Sequence, residues 1–203
     1  MRLTAIVLLL LSAPHLCEAD KVPGFKKSKP PRSYGHFEPN TLDVRTLVDG
    51  RQYKLLHDVT YVDRKGTRWI APKDSIVNGA SIPRAFWTFL GGPFTGRFRR
   101  ASIVHDVYCV TRERPSADAH LMFYEACLRD GVPPIKAKVL YYAVHNFGPK
   151  WKLVDTKATA VDEVKLGKPL VFPDAPEKQE WTVKDVQKLE NFIARNGLDV
   201  DKL

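Results

Sequence analysis

Two helical patterns joined by a short polar turn constrain this chain more than any other feature. The first runs over 97–112 and carries Ala101, Val104, His105, Tyr108 and Arg112 on one face. The second begins at Pro115-Ser116 and ends before Gly131. It sets His120, Phe123, Tyr124 and Cys127 on one face and Asp118, Met122 and Glu125 on another. A turn this short makes the two helices antiparallel neighbours. With a fixed rise per residue, positions equally far from the turn at 112–113 face one another. His105 is therefore expected opposite His120, with Asp106 turned roughly 100° away from His105. The same geometry leaves Cys109 and Cys127 about two turns out of register, so two buried thiols are expected rather than a disulfide.

The rest of the chain arranges itself around this hairpin. Residues 1–19 read as a secretory signal peptide, with Arg2, an apolar run from Ala5 to Leu11, and Ala19 at the cut. Residues 20–40 are a Lys- and Pro-rich arm, expected to be exposed. Residues 41–151 form the globular domain. It opens with strands over 42–47, 53–62 and 67–71, separated by turns at Asp49-Gly50 and Asp63-Gly66 and ending at Pro72. Ser81-Ile82-Pro83 reads as the start of a short helix that Gly91-Gly92-Pro93 breaks. After the hairpin, a third helix runs from Pro134 to Asn146, bringing Tyr141, Tyr142 and His145 together. Residues 152–178 are a polar linker. Within 179–203, Thr182 caps an amphipathic helix with Val186, Leu189, Phe192 and Ile193 on one stripe, ended by Asn196-Gly197. The expected fold class is α+β: a small antiparallel sheet, then a three-helix core with a His-Asp-bearing hairpin, plus a C-terminal helix.

Charge bears on partners. The formal net charge is +9, and removal of the signal takes away one base and one acid, Arg2 and Glu18. An exported basic protein, periplasmic or secreted, is drawn to anionic lipid or a cell-envelope polymer. No basic run is interleaved with aromatics as a nucleic-acid groove requires, so nucleic acid is not expected as a partner. No stretch after the signal is long and apolar enough to cross a membrane.

Chemistry concentrates on the hairpin. Two facing histidines with an aspartate beside one can act as a coupled general base, as metal ligands, or as a buried polar network. His105, His120 and Asp118 are the candidate catalytic residues. Asp106 is the candidate metal ligand, with calcium or zinc as the ion and Glu125 as a further oxygen donor. Asn78, Ser81, Tyr108 and Glu125 are candidate binding residues.

The segments NGASIPRAFW, ASIVHDVYC, MFYEACLRDGV and AVHNFGPKW, in that order, resemble the domain-of-unknown-function family numbered 1353, which is common in phages and bacterial genomes. The resemblance covers roughly 50–151. A more distant likeness is to the helical core of bacterial secreted phospholipases of the A-two type. That likeness implies His105 as the base that activates water, Asp106 as a calcium ligand, Tyr108 as a supporting residue and the Asn78-Gly79 loop in place of the calcium loop. Aligned on Phe123-Tyr124-Glu125, His120 stands where those lipases carry an aspartate that orients the histidine, and Asp118 lies two residues earlier. Their cysteine framework is absent. Three readings follow: an exported hydrolase acting on an ester or amide in lipid or cell envelope; a non-enzymatic structural or interaction module of phage descent with a buried His-Asp-His network; and a metal-binding envelope protein.

Overall fold

The computed structural model describes residues 34–50, 52–79, 84–92, 95–153 and 180–200. The segment read as a signal peptide, most of the arm and most of the linker lie outside the described residues, as does Ser81 with the helix start assigned to it. The elements are β1 (His36–Glu38), β2 (Val44–Thr46), β3 (Tyr53–Leu55), β4 (Val59–Val62), β5 (Arg68–Ala71), β6 (Ile76–Val77), α1 (Arg84–Leu90), α2 (Arg99–Thr111), α3 (Ser116–Arg129), α4 (Pro134–Phe147) and α5 (Val183–Asn196). The fold is α+β.

The strands form two antiparallel sheets of three, ordered β1-β4-β5 and β2-β3-β6. The run 53–62, read as one strand, is two strands in different sheets. The break has a local cause. The Leu56 amide donates to the Asp43 carbonyl, His57 Nδ1 lies 2.7 Å from the Asp58 carbonyl, and the Asp58 carboxylate accepts the Lys73 amide at 2.7 Å. These bonds divert the backbone from a continuous ladder. The sheet also continues past Pro72 into β6, whose Val77 pairs with Tyr53. At the other end, β1 falls within the stretch read as an exposed arm: Phe37 is buried and pairs with Tyr61. The β4–β5 turn is as expected. Asp63 accepts the Lys65 and Thr67 amides at 2.8 and 2.9 Å, and Gly66 takes a positive φ of 82°.

α2 is the axis of the molecule. Every residue from Ala101 to Tyr108 is buried, because sheet strands pack on some of its faces and α3 on another. This first core holds Leu55, Val59, Tyr61, Trp69, Ile103 and Phe123. A second core lies among α1, α4 and α5 and holds Phe86, Tyr142, Trp181, Leu189 and Ile193. α4 serves both, with Leu140 and Val144 in the first and Val139 and Ala143 in the second. The C-terminal helix therefore packs on the domain. Thr182 caps it with a full capping box in which its side chain accepts the Asp185 amide and Asp185 bonds back to the Thr182 amide. Leu189 is fully buried on its apolar stripe, so Leu189→Ala is expected to lower stability by about 2–5 kcal/mol. The check is the urea unfolding midpoint; a change within error would mean that α5 is not part of the folded core.

Candidate functional site

Because α2 is buried all round, consecutive polar residues on it must find partners on different elements. His105 faces α3, where its Nε2 lies 2.9 Å from His120 Nδ1. The two side chains are 1% and 2% exposed. This is the face-to-face register expected from the hairpin. One nitrogen of the pair must donate and the other accept. The His105 ring also packs on Phe123, with centroids 5.0 Å apart. Cys109, one turn on, sets its sulfur 3.6 and 3.7 Å from the two His105 ring nitrogens. Being nearly equidistant from both, it bonds neither well. Cys109 and Cys127 are both free thiols, as expected, but only Cys127 is fully buried; Cys109 is half-buried.

Burial sets the protonation of the pair. It holds the His105 imidazole well below its ordinary value of 6.5, and the neighbouring His120 adds to this. His120 is pulled down to about 4, first by burial and then by His145 and Lys150. The Pro149 carbonyl opposes this weakly without completing a hydrogen bond, and His120 Nε2 is buried with no hydrogen-bond partner. Both rings are thus neutral at pH 7. The Cys109 thiol is pushed up to about 12 by burial and by the charge of Asp106, so it stays protonated and unreactive.

The end of α4 covers His120. Gly148 passes so close that a Cβ there would lie 3.2 Å from His120 Cε1 and 2.3 Å from the Val144 carbonyl oxygen. Trp151 then closes over the ring, with centroids 6.1 Å apart. It is anchored by its amide, which donates to Ser116 Oγ at 3.2 Å, and by its indole N–H, which donates to the Arg114 carbonyl at 2.6 Å. The Ser116 hydroxyl donates back to the Trp151 carbonyl at 3.0 Å. His145 adds a third imidazole, 6.4 Å from His120 between centroids and stacked toward Tyr141.

Asp106 has partners other than those expected. Its Oδ2 accepts the amides of Asn78 and Gly79 at 2.8 and 3.3 Å. Gly79 has a φ of +92°, which lets two successive N–H groups converge on one oxygen. A calcium loop would turn carbonyl oxygens toward the ion; this loop turns amide hydrogens toward the carboxylate. His105 and His120 spend their facing nitrogens on each other. Among the described residues, no three of His, Cys, Asp and Glu are grouped to hold a metal ion. The Asp106 carboxylate, expected as a metal ligand, is engaged here by the Asn78 and Gly79 amides.

The other expected residues scatter. Asp118 is exposed in the first turn of α3 and lines a cavity of about 150 Å³ with Asp63, Arg114 and Glu125, away from the pair. The place across from His105 is taken by His120. Glu125 is buried and ion-paired with Arg64 at 2.8 Å, tying α3 to the β4–β5 turn. The Tyr108 hydroxyl accepts the Ile70 amide at 3.2 Å, and its ring meets the edge of Trp69. It fastens α2 to β5. Asn78 contributes its backbone only to the contact with Asp106. His145, Gly148 and Trp151 were missed as parts of the site, although all three sit in the AVHNFGPKW segment.

Two outcomes follow. The unfolded chain binds protons that the folded pair excludes, so stability is full above about pH 6.5 and falls as pH drops toward about 4. Asp63 and Asp185 are held below the carboxylate value of 3.8 and lose their stabilisation at lower pH, while Asp106 and Asp130 are raised and work in the opposite direction. Urea midpoints measured between pH 7 and pH 4.5 should decline; a flat or rising profile would sink the neutral-pair assignment. Separately, Asp106→Ala should speed hydrogen exchange at the Asn78 and Gly79 amides by about tenfold or more, since each loses its acceptor. Unchanged protection at both would mean the loop is held by something else.

Comparison with known proteins adds the family. Residues 53–144 match the family model described as "Protein of unknown function (DUF1353)". The uncharacterized protein y4jT of Sinorhizobium fredii (strain NBRC 101917 / NGR234) is 42% identical over 161 residues, which covers 71% of this chain and 47% of that protein. The uncharacterized protein y4iH of the same strain is 41% identical over 100 residues, covering 49% of this chain and 42% of that protein. The chain thus spans a little under half the length of these curated relatives. No solved structure matches it. The match runs from β3 into α4 and so contains His105, Asp106 and His120, and over residues 53–144 the chain is similar to the DUF1353 family of proteins of unknown function.

Proposed function

We propose that this chain is an exported, non-enzymatic structural or interaction module of the cell envelope, in which His105, Asp106 and His120 fix the fold instead of reacting. The observation that carries this reading is the burial of the pair. His105 and His120 are 1% and 2% exposed, hydrogen-bonded to each other and capped by Trp151. Among the described residues, neither histidine lines the cavities of about 420, 300 and 150 Å³. A general base must reach the proton it abstracts directly or through one water. Asp106 is equally occupied, by the Asn78-Gly79 loop. Export rests on the signal-like pattern of residues 1–19, and attraction to anionic lipid or envelope polymer rests on the net charge of +9.

The hydrolase reading keeps one support. Both imidazoles are neutral at pH 7 and one can orient the other, as a coupled base requires. It needs a path from solvent to His105, which none of these three cavities among the described residues supplies.

The two readings separate in one experiment. Purified mature protein is incubated with labelled phospholipid, with and without calcium or zinc, beside His105→Ala. The expected result is no product under any condition and a lowered unfolding midpoint for the variant. Fatty-acid release that His105→Ala abolishes would overturn the structural reading.

A further inference from the structure

The strongest unassigned feature lies at the opposite end of α2 from Cys109. Asn40, Thr41, Gly96, Arg97, Arg99 and Arg100 line a cavity of about 300 Å³ that Asp130 closes from below. The three arginines differ in what they have left to give. Arg100 is spent. Its Nε and Nη2 form a fork with the Asp130 carboxylate at 3.0 and 2.5 Å, its Nη1 donates to Asn40 Oδ1 at 3.0 Å, and its guanidinium lies 4.3 Å over the Phe37 ring. Its charge is largely cancelled by Asp130, and its role is to build the floor.

Arg97 and Arg99 are exposed at the rim. Arg97 is held in place by one donor only, Nη1 to the Gly131 carbonyl at 3.0 Å. It rests against Gly131, where an added Cβ would come within 3.1 Å of that nitrogen. A guanidinium carries five N–H donors, so most of Arg97's remain for a ligand. No ion pair with a carboxylate is found for either Arg97 or Arg99 among the described residues. The cavity therefore carries about two uncompensated positive charges, counting three arginines against Asp130. The first turn of α2 adds to the same sign, because no side chain caps it and no acidic residue sits in it. Guanidinium fork donors at the rim, above a floor whose Arg100–Asp130 pair is largely neutral, suit an oxyanion with several acceptor oxygens, for which phosphate is the common biological form.

We propose that this arginine cavity is a binding site for a phosphate group, supplied by a lipid headgroup or by a soluble phosphate ester. The proposal deepens the interaction reading by naming a surface and a ligand class. Its failure is distinct from failure of that reading, because it tests Arg97 and Arg99, and His105 takes no part.

The test uses the full mature chain. Inorganic phosphate and glycerol phosphate are titrated while the amide signals of residues 96–101 are followed by NMR, and sedimentation is measured with phosphatidylglycerol and phosphatidylcholine vesicles. Arg97→Gln and Arg99→Gln are each expected to weaken binding by about tenfold. Arg195→Gln, which removes the same charge from the exposed face of α5, should leave it unchanged. Arg99→Lys keeps the charge without the fork and should fall between. Soluble phosphate shifting residues 96–101 without vesicle binding identifies a soluble ester. Binding to phosphatidylglycerol vesicles that is lost in the Arg97 and Arg99 variants identifies a lipid headgroup. No binding in either arm overturns the site, as does an equal loss in Arg195→Gln, which would reduce the effect to net charge.

Discussion

The hydrogen bond between His105 and His120 is the interaction on which the arrangement of the helices depends. It joins two side chains that are almost wholly removed from water, at 2.9 Å, across the α2–α3 interface. An imidazole buried without a partner would lose its hydration for nothing in return. The pair satisfies one nitrogen of each ring and sets the axial register of the two helices. Once that register is set, Gly148 and Trp151 at the end of α4 can close over His120, and α4 is brought between the two cores.

The other polar residues of α2 do the same work toward the sheets. Asp106 collects two amides of the Asn78-Gly79 loop after β6, and the Tyr108 hydroxyl accepts one amide from β5. Within four residues the helix is therefore pinned to α3, to one sheet and to the other. Apolar packing alone tolerates sliding, whereas hydrogen bonds at three angles around one helix do not. On the proposed reading, His-Asp in this setting acts as a set of fasteners, and its likeness to a water-activating site lies in the pattern of residue types. The calcium-ligand aspartate of that pattern meets N–H groups here, and the orienting carboxylate is replaced by an imidazole.

Several of these features were legible in the chain before folding was considered. The helical spacing of Ala101, His105 and Tyr108, the short turn, the starts at Pro115-Ser116 and Pro134 and the cap at Thr182 located all four long helices to within a residue or two. The facing of His105 and His120 followed from the fixed rise of a helix. The strands were harder. His36–Glu38 is too short and too close to a Pro- and Lys-rich stretch to stand out, and it becomes a strand only because β4 offers an edge to pair with. The division of 53–62 depends on Asp43 and Lys73, which are remote in sequence from the bonds they make there. Arg100 and Asp130, thirty positions apart, meet because the antiparallel hairpin sets the start of α2 beside the end of α3.

What the order of residues determined by itself was local: which segments are helical, where they start and stop, which side chains share a face, and that two histidines meet across a hairpin. These follow from backbone geometry and short-range periodicity. What only the tertiary structure decided was the environment of those side chains. Whether a histidine opposite another histidine is a base, a ligand or a fastener depends on access to water and on what lies behind it. That is set by Trp151 and Gly148 from beyond the third helix and by the loop after β6. Burial and partner choice are properties of the packed whole, since the same His-Asp dipeptide on a helix with one open face would be solvated and free to react.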